Sequence, residues 1–394
     1  MNDAENNYRR SSVNLTRQLL SSFGLSPTDQ QAAAFAQLAR YLAGEAKHSV
    51  FVLKGAAGTG KTTMLRAVAG TLRRNGWRVV LLAPTGRAAK VAAERTGLPA
   101  ATIHRSIYKS VGDDALASDR LRKHHLPDNT LVIVDEVSML NDTSEGFKGG
   151  DGLLRDLLRF TWQGNARIKV LFVGDPAQLP PVGTTRSPAL SVNYLRGTLN
   201  LNVEQVNLTE VKRQALESGV LGLATFMRDT LKTAPVRAFP RLSDFPDVEV
   251  LTDGEALLER FLTTFDPDDP ESVIVLSGSN RIAGEFNQAV RNELHYDAGP
   301  LTVGDRVMVV RNHYFRSGST TKFVANGELG RVTRVLTYDP HPLFEEEWQQ
   351  VEVEFFDERG EPFTLVRWVP LGLLYSSAPQ LDRSIEQQVD ALID

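Results

Sequence analysis

With 394 residues, 42% of them hydrophobic and 23% charged, the chain has the make-up of a folded protein of two domains or slightly more, not of a disordered one. Its 44 Lys and Arg against 48 Asp and Glu give a net charge of -4, which excludes a uniformly basic nucleic-acid coat; nucleic acid, if bound, must lie in a local groove. The absence of cysteine removes disulfides, thiolate zinc sites, iron–sulfur clusters and cysteine nucleophiles together.

Residues 1–24 read as a helical or flexible segment that carries Arg9, Arg10 and Arg17 but no apolar core of signal-peptide length. Nowhere does an apolar run reach the ~18 residues of a membrane span, so the expectation is a cytoplasmic protein with no membrane partner. From Ser49, short apolar runs alternate with helical stretches: Ser49–Leu53, Arg78–Ala83, Leu131–Val134 and Ile168–Val173 read as strands. Strands this uniformly apolar are those of a parallel sheet covered on both faces, which predicts a doubly wound α/β domain over about residues 25–213.

Gln214–Lys232 then reads as a helix, and Pro235, Pro240 and Pro246 punctuate an inter-domain segment. A second β-α-β rhythm follows in strand Val248–Leu251, helix Glu255–Phe265, strand Val273–Leu276 and helix Arg281–Leu294, within residues 214–328. From Leu329 the pattern changes to antiparallel strands, Arg331–Leu336, Val351–Phe356 and Phe363–Trp368, joined by turns such as Asp357–Gly360. Residues 329–376 are read as a small β-barrel insertion and 377–394 as a tail.

Gly55-Ala56-Ala57-Gly58-Thr59-Gly60-Lys61-Thr62 fits G-x-x-x-x-G-K-[ST] between a predicted strand and a predicted helix, the context that the motif requires. The glycines let backbone N–H groups of this loop, through Thr63, turn inward around the phosphates of ATP. Lys61 reaches the β and γ phosphates, and Thr62 ligates Mg²⁺. Downstream, the apolar run Leu131–Val134 ends in Asp135-Glu136, two carboxylates at the sheet edge where such folds bind ligands. Asp135 would hold Mg²⁺, and Glu136 would orient or deprotonate the attacking water. A solvated strand end is the alternative for that pair taken alone. To this point the residues specify an NTPase.

Val173-Gly174-Asp175-Pro176-Ala177-Gln178-Leu179-Pro180-Pro181-Val182 is similar to the G-D-x-x-Q-L-P-P-V segment of superfamily-1 DNA helicases of the RecD and Dda type. The resemblance implies two RecA-like domains, the second incomplete here, and a motor acting on single-stranded DNA. By it, Gln178 contacts the γ-phosphate. Thr28-Asp29-Gln30-Gln31 resembles the family's adenine-contacting segment, with Gln31 the better match and Gln30 the alternative. Pro84, Thr85, Gly86 and Arg87 resemble its first DNA-contacting loop, and Thr102, His104 and Arg105 the T-I-H segment after it. His104 alone reads as a buried structural histidine, and its DNA contact is what the resemblance implies. Leu208–Gln214 looks like the segment with the arginine that reaches the γ-phosphate, which assigns Arg213 as the finger; a surface ion pair is its other reading. Ser277–Asn280, Gly304–Met308 and Asn326–Gly330 resemble structural markers of the second domain, while basic Arg120–His125 falls where the family carries a strand-separating pin or, more simply, is a solvated loop.

The resemblance ends near Ser377, before two further family segments, one that contacts DNA and one that bears a second arginine. A truncated gene, an expressed fragment or half of a split motor, completed by a partner chain, would each account for that. The leading expectation is an ATP-dependent helicase moving 5′ to 3′ on single-stranded DNA. An RNA helicase and a non-motor P-loop switch are the alternatives.

Overall fold

A computed structural model describes residues 3–109, 120–122, 126–142, 152–181, 183–210, 218–230, 245–266, 269, 272–294, 299–310, 313–317, 320–324, 327–337, 347–356 and 361–374. The chain divides into two compact units, Met1–Val248 and Glu249–Asp394.

The first unit opens with helices α1 (Asp3–Phe23) and α2 (Asp29–Ala43), then strand β1 (Ser49–Gly55), α3 (Lys61–Arg74), β2 (Arg78–Ala83), α4 (Gly86–Thr96), β3 (Ala100–Thr102) and α5 (Ile103–Ile107). A two-residue pair, β4 (Tyr108–Lys109) and β5 (Arg120–Leu121), precedes β6 (Thr130–Val134), α6 (Leu153–Thr161), β7 (Lys169–Gly174), α7 (Val192–Gly197), β8 (Asn202–Leu208) and α8 (Gly219–Thr230). Six strands form one sheet in the order β3-β2-β6-β7-β1-β8, and every ladder is parallel.

Side chains alternate between the two faces of these strands, so a parallel sheet covered on both sides needs apolar residues at every position. Phe51, Leu53, Leu131, Ile133, Leu171 and Val173 pack on one face with Phe35, Leu65, Val68 and Leu72 of the helices. Val50, Val52, Val132, Val134, Val170 and Phe172 pack on the other with Ile103, Ile107, Leu154 and Leu157. The helix starts follow the side chains able to accept from free backbone N–H groups: Thr28 caps α2, Thr85 caps α4 and Thr102 caps α5. The two strands of this sheet that the sequence hid are short or polar. β3 has three residues, and β8 exposes Asn202, Glu204, Gln205 and Asn207 along the sheet's edge.

The second unit holds α9 (Gly254–Thr264), α10 (Asn280–Leu294), β9 (Arg306–Met308), the hairpin β10 (His313–Ser317) and β11 (Thr320–Val324), β12 (Leu329–Thr337), β13 (Trp348–Phe356), β14 (Pro362–Pro370) and the short α11 (Leu371–Leu374). β14-β13-β12-β9 form a four-stranded antiparallel sheet around Val332, Val351, Val353 and Phe355. The expected strands Val248–Leu251 and Val273–Leu276 are not strands. Neither segment has a ladder, and Val250, Ile274 and Leu276 are 64%, 61% and 87% exposed. A parallel strand exists only through a neighbour's hydrogen bonds, and among the described residues none flanks these segments. Asp357–Gly360 and Asn326 lie outside the described residues.

Phe172 lies in β7 with no exposed surface. Replacing it with Ala is expected to lower the free energy of unfolding by about 3–5 kcal/mol in urea titration; a loss under about 1 kcal/mol would contradict the two-faced core.

Candidate functional site

β1 delivers the chain at Gly55 into a loop in which Gly58 and Gly60 take φ of 78° and 83°, values that other residues adopt with strain. Helix α3 begins at once with Lys61, so the first backbone N–H groups of the helix face the loop's concavity. The Lys61 ammonium donates to Gly55 O at 2.7 Å and Ala56 O at 3.0 Å, and Thr59 Oγ1 donates to Ala56 O at 2.8 Å. Ala57, Thr62 and Thr63 complete the turn and the first residues of the helix.

β7 runs between β1 and β6, which brings three strand ends to one edge. Beyond β6, Asp135 N donates to Leu82 O at 2.9 Å, and Asp135 Oδ1 accepts from Glu136 N at 3.0 Å. Glu136 sits at φ 54°, a left-handed conformation for a side chain that gains nothing local from it. Its Oε2 is buried with no hydrogen-bond partner. Gln178, after β7, bonds the Glu136 side chain, and its Oε1 accepts from Ser138 Oγ at 3.2 Å. Asp175, buried on the same loop, accepts from Ala177 N at 2.9 Å.

Burial dominates the titration of this cluster. It pushes the carboxyls of Asp135 and Glu136 up, the latter helped by the charge of Asp135. The same desolvation pulls the Lys61 ammonium down, opposed by Asp175, Glu136 and Asp135. A site that makes both signs of charge costly is one that a counter-ion from outside would relieve.

A cavity of about 290 Å³ adjoins the cluster, lined by Thr62, Asp135 and Glu136 on one side and by Thr85, Arg87 and Arg95 on the other. The oxygens of Thr62 and Asp135 facing one space suit Mg²⁺, which takes one or two protein oxygens and completes its shell with water and phosphate. Among the described residues no cluster of three or more His, Asp or Glu could hold a metal unaided. A larger cavity of about 580 Å³ lies at the opposite end of β1 and β8, lined by Tyr8, Arg40, Glu45, Arg196 and Glu204, and contains none of the motif residues.

The remaining candidates fall into three groups. Gln31 is 1% exposed, and both ends of its amide are engaged: Oε1 accepts from Thr28 N at 3.0 Å and Nε2 donates to Thr59 O at 2.9 Å. Gln30 is half-buried and accepts from Thr209 N at 2.6 Å and Glu210 N at 3.1 Å. On the loops after β2 and β3, Thr85 and Thr102 spend their hydroxyls on Ala88 N and Arg105 N, with Pro84, Gly86 and exposed Arg87 around the first. Burial pulls the His104 imidazole below its ordinary range, and its ring lies 5.8 Å from that of Tyr108. Arg213, Val182 and residues 123–125 lie outside the described residues. Sequence reasoning gave no role to Asp175, which lies inside a recognised string, or to Ser138, which lies beside one and meets Gln178 40 residues away.

The AAA domain family model matches residues 27–229. The ATP-dependent RecD2 DNA helicase of Deinococcus radiodurans is 37% identical over 204 residues, 51% of this chain and 23% of that protein. The ATP-dependent DNA helicase dda of Enterobacteria phage T4 is 26% identical over 285 residues, 69% of this chain and 58% of that one. The ATP-dependent DNA helicase PIF1 of Trypanosoma brucei brucei is 32% identical over 182 residues, 45% of this chain and 18% of that one. The chain spans less than two thirds of the length of each.

The matched segment begins just ahead of Thr28 and so includes the tie between Gln31 and the loop. A Cβ at Gly60 would stand 2.6 Å from Gln31 Nε2, so Gly60→Ala displaces the same amide that Gln31→Ala removes. A double-mutant cycle on stability is therefore expected to show coupling above about 0.5 kcal/mol. Additive losses would mean that the amide and the glycine act separately.

Proposed function

This chain belongs to the AAA domain family as a superfamily-1 P-loop helicase of the RecD/Dda type, and from that premise we propose that it couples ATP hydrolysis to 5′ to 3′ movement along single-stranded DNA. The observation that carries the ATPase reading is the Glu136 carboxylate, held in a left-handed backbone with a buried, unpartnered oxygen beside Asp135 and the Lys61 loop.

In this reading the N–H groups from Gly58 to Thr63 cradle the phosphates, and Lys61 exchanges its carbonyl partners for phosphate oxygens. Thr62 and Asp135 hold Mg²⁺, which when bound neutralises charge on the phosphates. Glu136 orients the attacking water and takes its proton at the free Oε2, while Gln178, tied to Glu136 and Ser138, follows the terminal phosphate. Gln31 acts through the loop that it braces. For DNA, the N-termini of α4 and α5, with Thr85, Arg87, Thr102, His104 and Arg105, supply N–H groups and charge for backbone phosphates. Arg213 is proposed as the finger.

Lys61→Ala is expected to weaken ATP binding and abolish turnover, whereas Glu136→Gln should lower kcat by about 10²-fold or more with ATP affinity retained. Equal loss of affinity in both would contradict these roles. Turnover needs Glu136 deprotonated, and burial raises its carboxyl in the ligand-free site, so the acid limb of kcat/KM should fall above the usual Glu value of about 4.3 and vanish on removal of the carboxyl.

Steady-state ATP turnover measured with poly-dT, with poly-U and with neither tests the substrate. The proposal expects stimulation by poly-dT well beyond that by poly-U. Stimulation by poly-U alone favours RNA, and no stimulation by either removes the motor.

A further inference from the structure

Helix α8 carries a charge that has no role among the residues above. Arg228 Nη2 lies 3.6 Å from Asp175 Oδ2, within ion-pair range but beyond hydrogen-bond reach. Its Nε–H is buried and meets no acceptor. One turn earlier on the same helix face, the Thr225 hydroxyl is buried and equally without a partner. Native proteins pair nearly all buried polar groups, and a guanidinium has five N–H groups to satisfy. Two orphans on one face, one of them cationic, describe a site that an anion with several acceptor oxygens would complete.

The location of the pair limits which anion that is. Asp175 is the carboxylate with the largest effect on the Lys61 ammonium, and the charge of Arg228 is also felt there. Asp175 and Gln178 share the loop after β7, between the strands that carry the phosphate loop and Glu136. The guanidinium therefore stands within electrostatic reach of the lysine that the phosphates of ATP would neutralise.

We propose that Arg228 is a further catalytic residue of the nucleotide site, donating to the terminal phosphate of ATP with the Thr225 hydroxyl beside it, and held by Asp175 when no triphosphate is bound. This rests on the ATPase reading above. Arg228 differs from an arginine supplied by another domain in belonging to the same compact unit as Lys61. Contact with the terminal phosphate makes its contribution specific to ATP, because ADP lacks the group that it meets.

The experiment measures binding of fluorescent ATP and ADP analogues with Mg²⁺, together with kcat and the melting temperature, for the wild type, Arg228→Gln and Arg228→Lys. Arg228→Gln is expected to lower kcat, or affinity for the ATP analogue, at least about tenfold. Affinity for the ADP analogue should stay within about twofold. Arg228→Lys should recover part of the loss, since it restores the charge without the planar fork. Equal losses for both nucleotides, with a lowered melting temperature, would make Arg228 a structural tie to Asp175 and overturn the proposal, as would unchanged behaviour. A wild type that neither prefers ATP nor hydrolyses it, with Lys61→Ala no different, overturns the ATPase reading as well.

Discussion

β7 runs between β1 and β6, hydrogen-bonded to both, and all three strands point the same way. Parallel strands end on one edge, so the loops that follow them emerge side by side although they come from residues 55–60, 135–136 and 175–178. That interleaving assembles the site. The middle strand determines that Asp175 and Gln178 fall between the phosphate loop and Glu136, and neither outer strand could deliver them there. Its own side chains, Leu171 and Val173 on one face and Val170 and Phe172 on the other, are locked in both cores. The edge is consequently stiff where the chemistry is, and the cost of holding Glu136 at positive φ is borne by that packing.

The charges gathered at this edge are not at rest with one another. Lys61 satisfies its ammonium on the carbonyls of its own loop, Asp135 uses an oxygen on the next backbone N–H, and Glu136 leaves one oxygen bare. Burial shifts both carboxylates towards the neutral form and the lysine likewise. Self-satisfied groups of this kind exchange partners cheaply, because a bound phosphate replaces a hydrogen bond that the protein already makes rather than one made to water. The backbone carbonyls released by Lys61 belong to the rim of the same loop and regain contact with solvent or ligand.

How much of this could be read in the residues depends on whether the information was local. The phosphate loop, the Asp-Glu pair and the long G-D-x-x-Q string are contiguous and have few alternatives, and the sheet's four apolar strands announced two covered faces. Gln31 was recognisable as part of a segment, but its partner is 28 residues away at Thr59, and only the fold shows that its amide braces the loop. β8 escaped notice because an edge strand with Asn202, Glu204 and Gln205 does not need an apolar pattern. The opposite error occurred at Val273–Leu276, where an apolar run looked like a buried strand and carries no ladder. Composition records what a segment could pair with, whereas a strand requires a neighbour that is present.

The cavity beside the cluster joins the two halves of the proposed motor within a single domain. Its walls are Thr62, Asp135 and Glu136 on one side and Thr85 and Arg87 on the other. Thr85 caps α4 through Ala88 N, so any displacement of that loop is passed directly to a helix that packs on the sheet through Ala92. If Thr85 and Arg87 meet DNA phosphates as proposed, loss of the terminal phosphate from one wall alters the electrostatic field on the other across one cavity's width. No long relay of side chains is then required for the first domain to sense hydrolysis. What such a short path cannot supply is directional stepping, which needs a second grip on the strand that alternates with the first. The ATPase and the stepping can therefore be separated by experiment: in the proposed motor the first needs Lys61, Glu136 and Gln178, while the second depends on contacts outside this sheet.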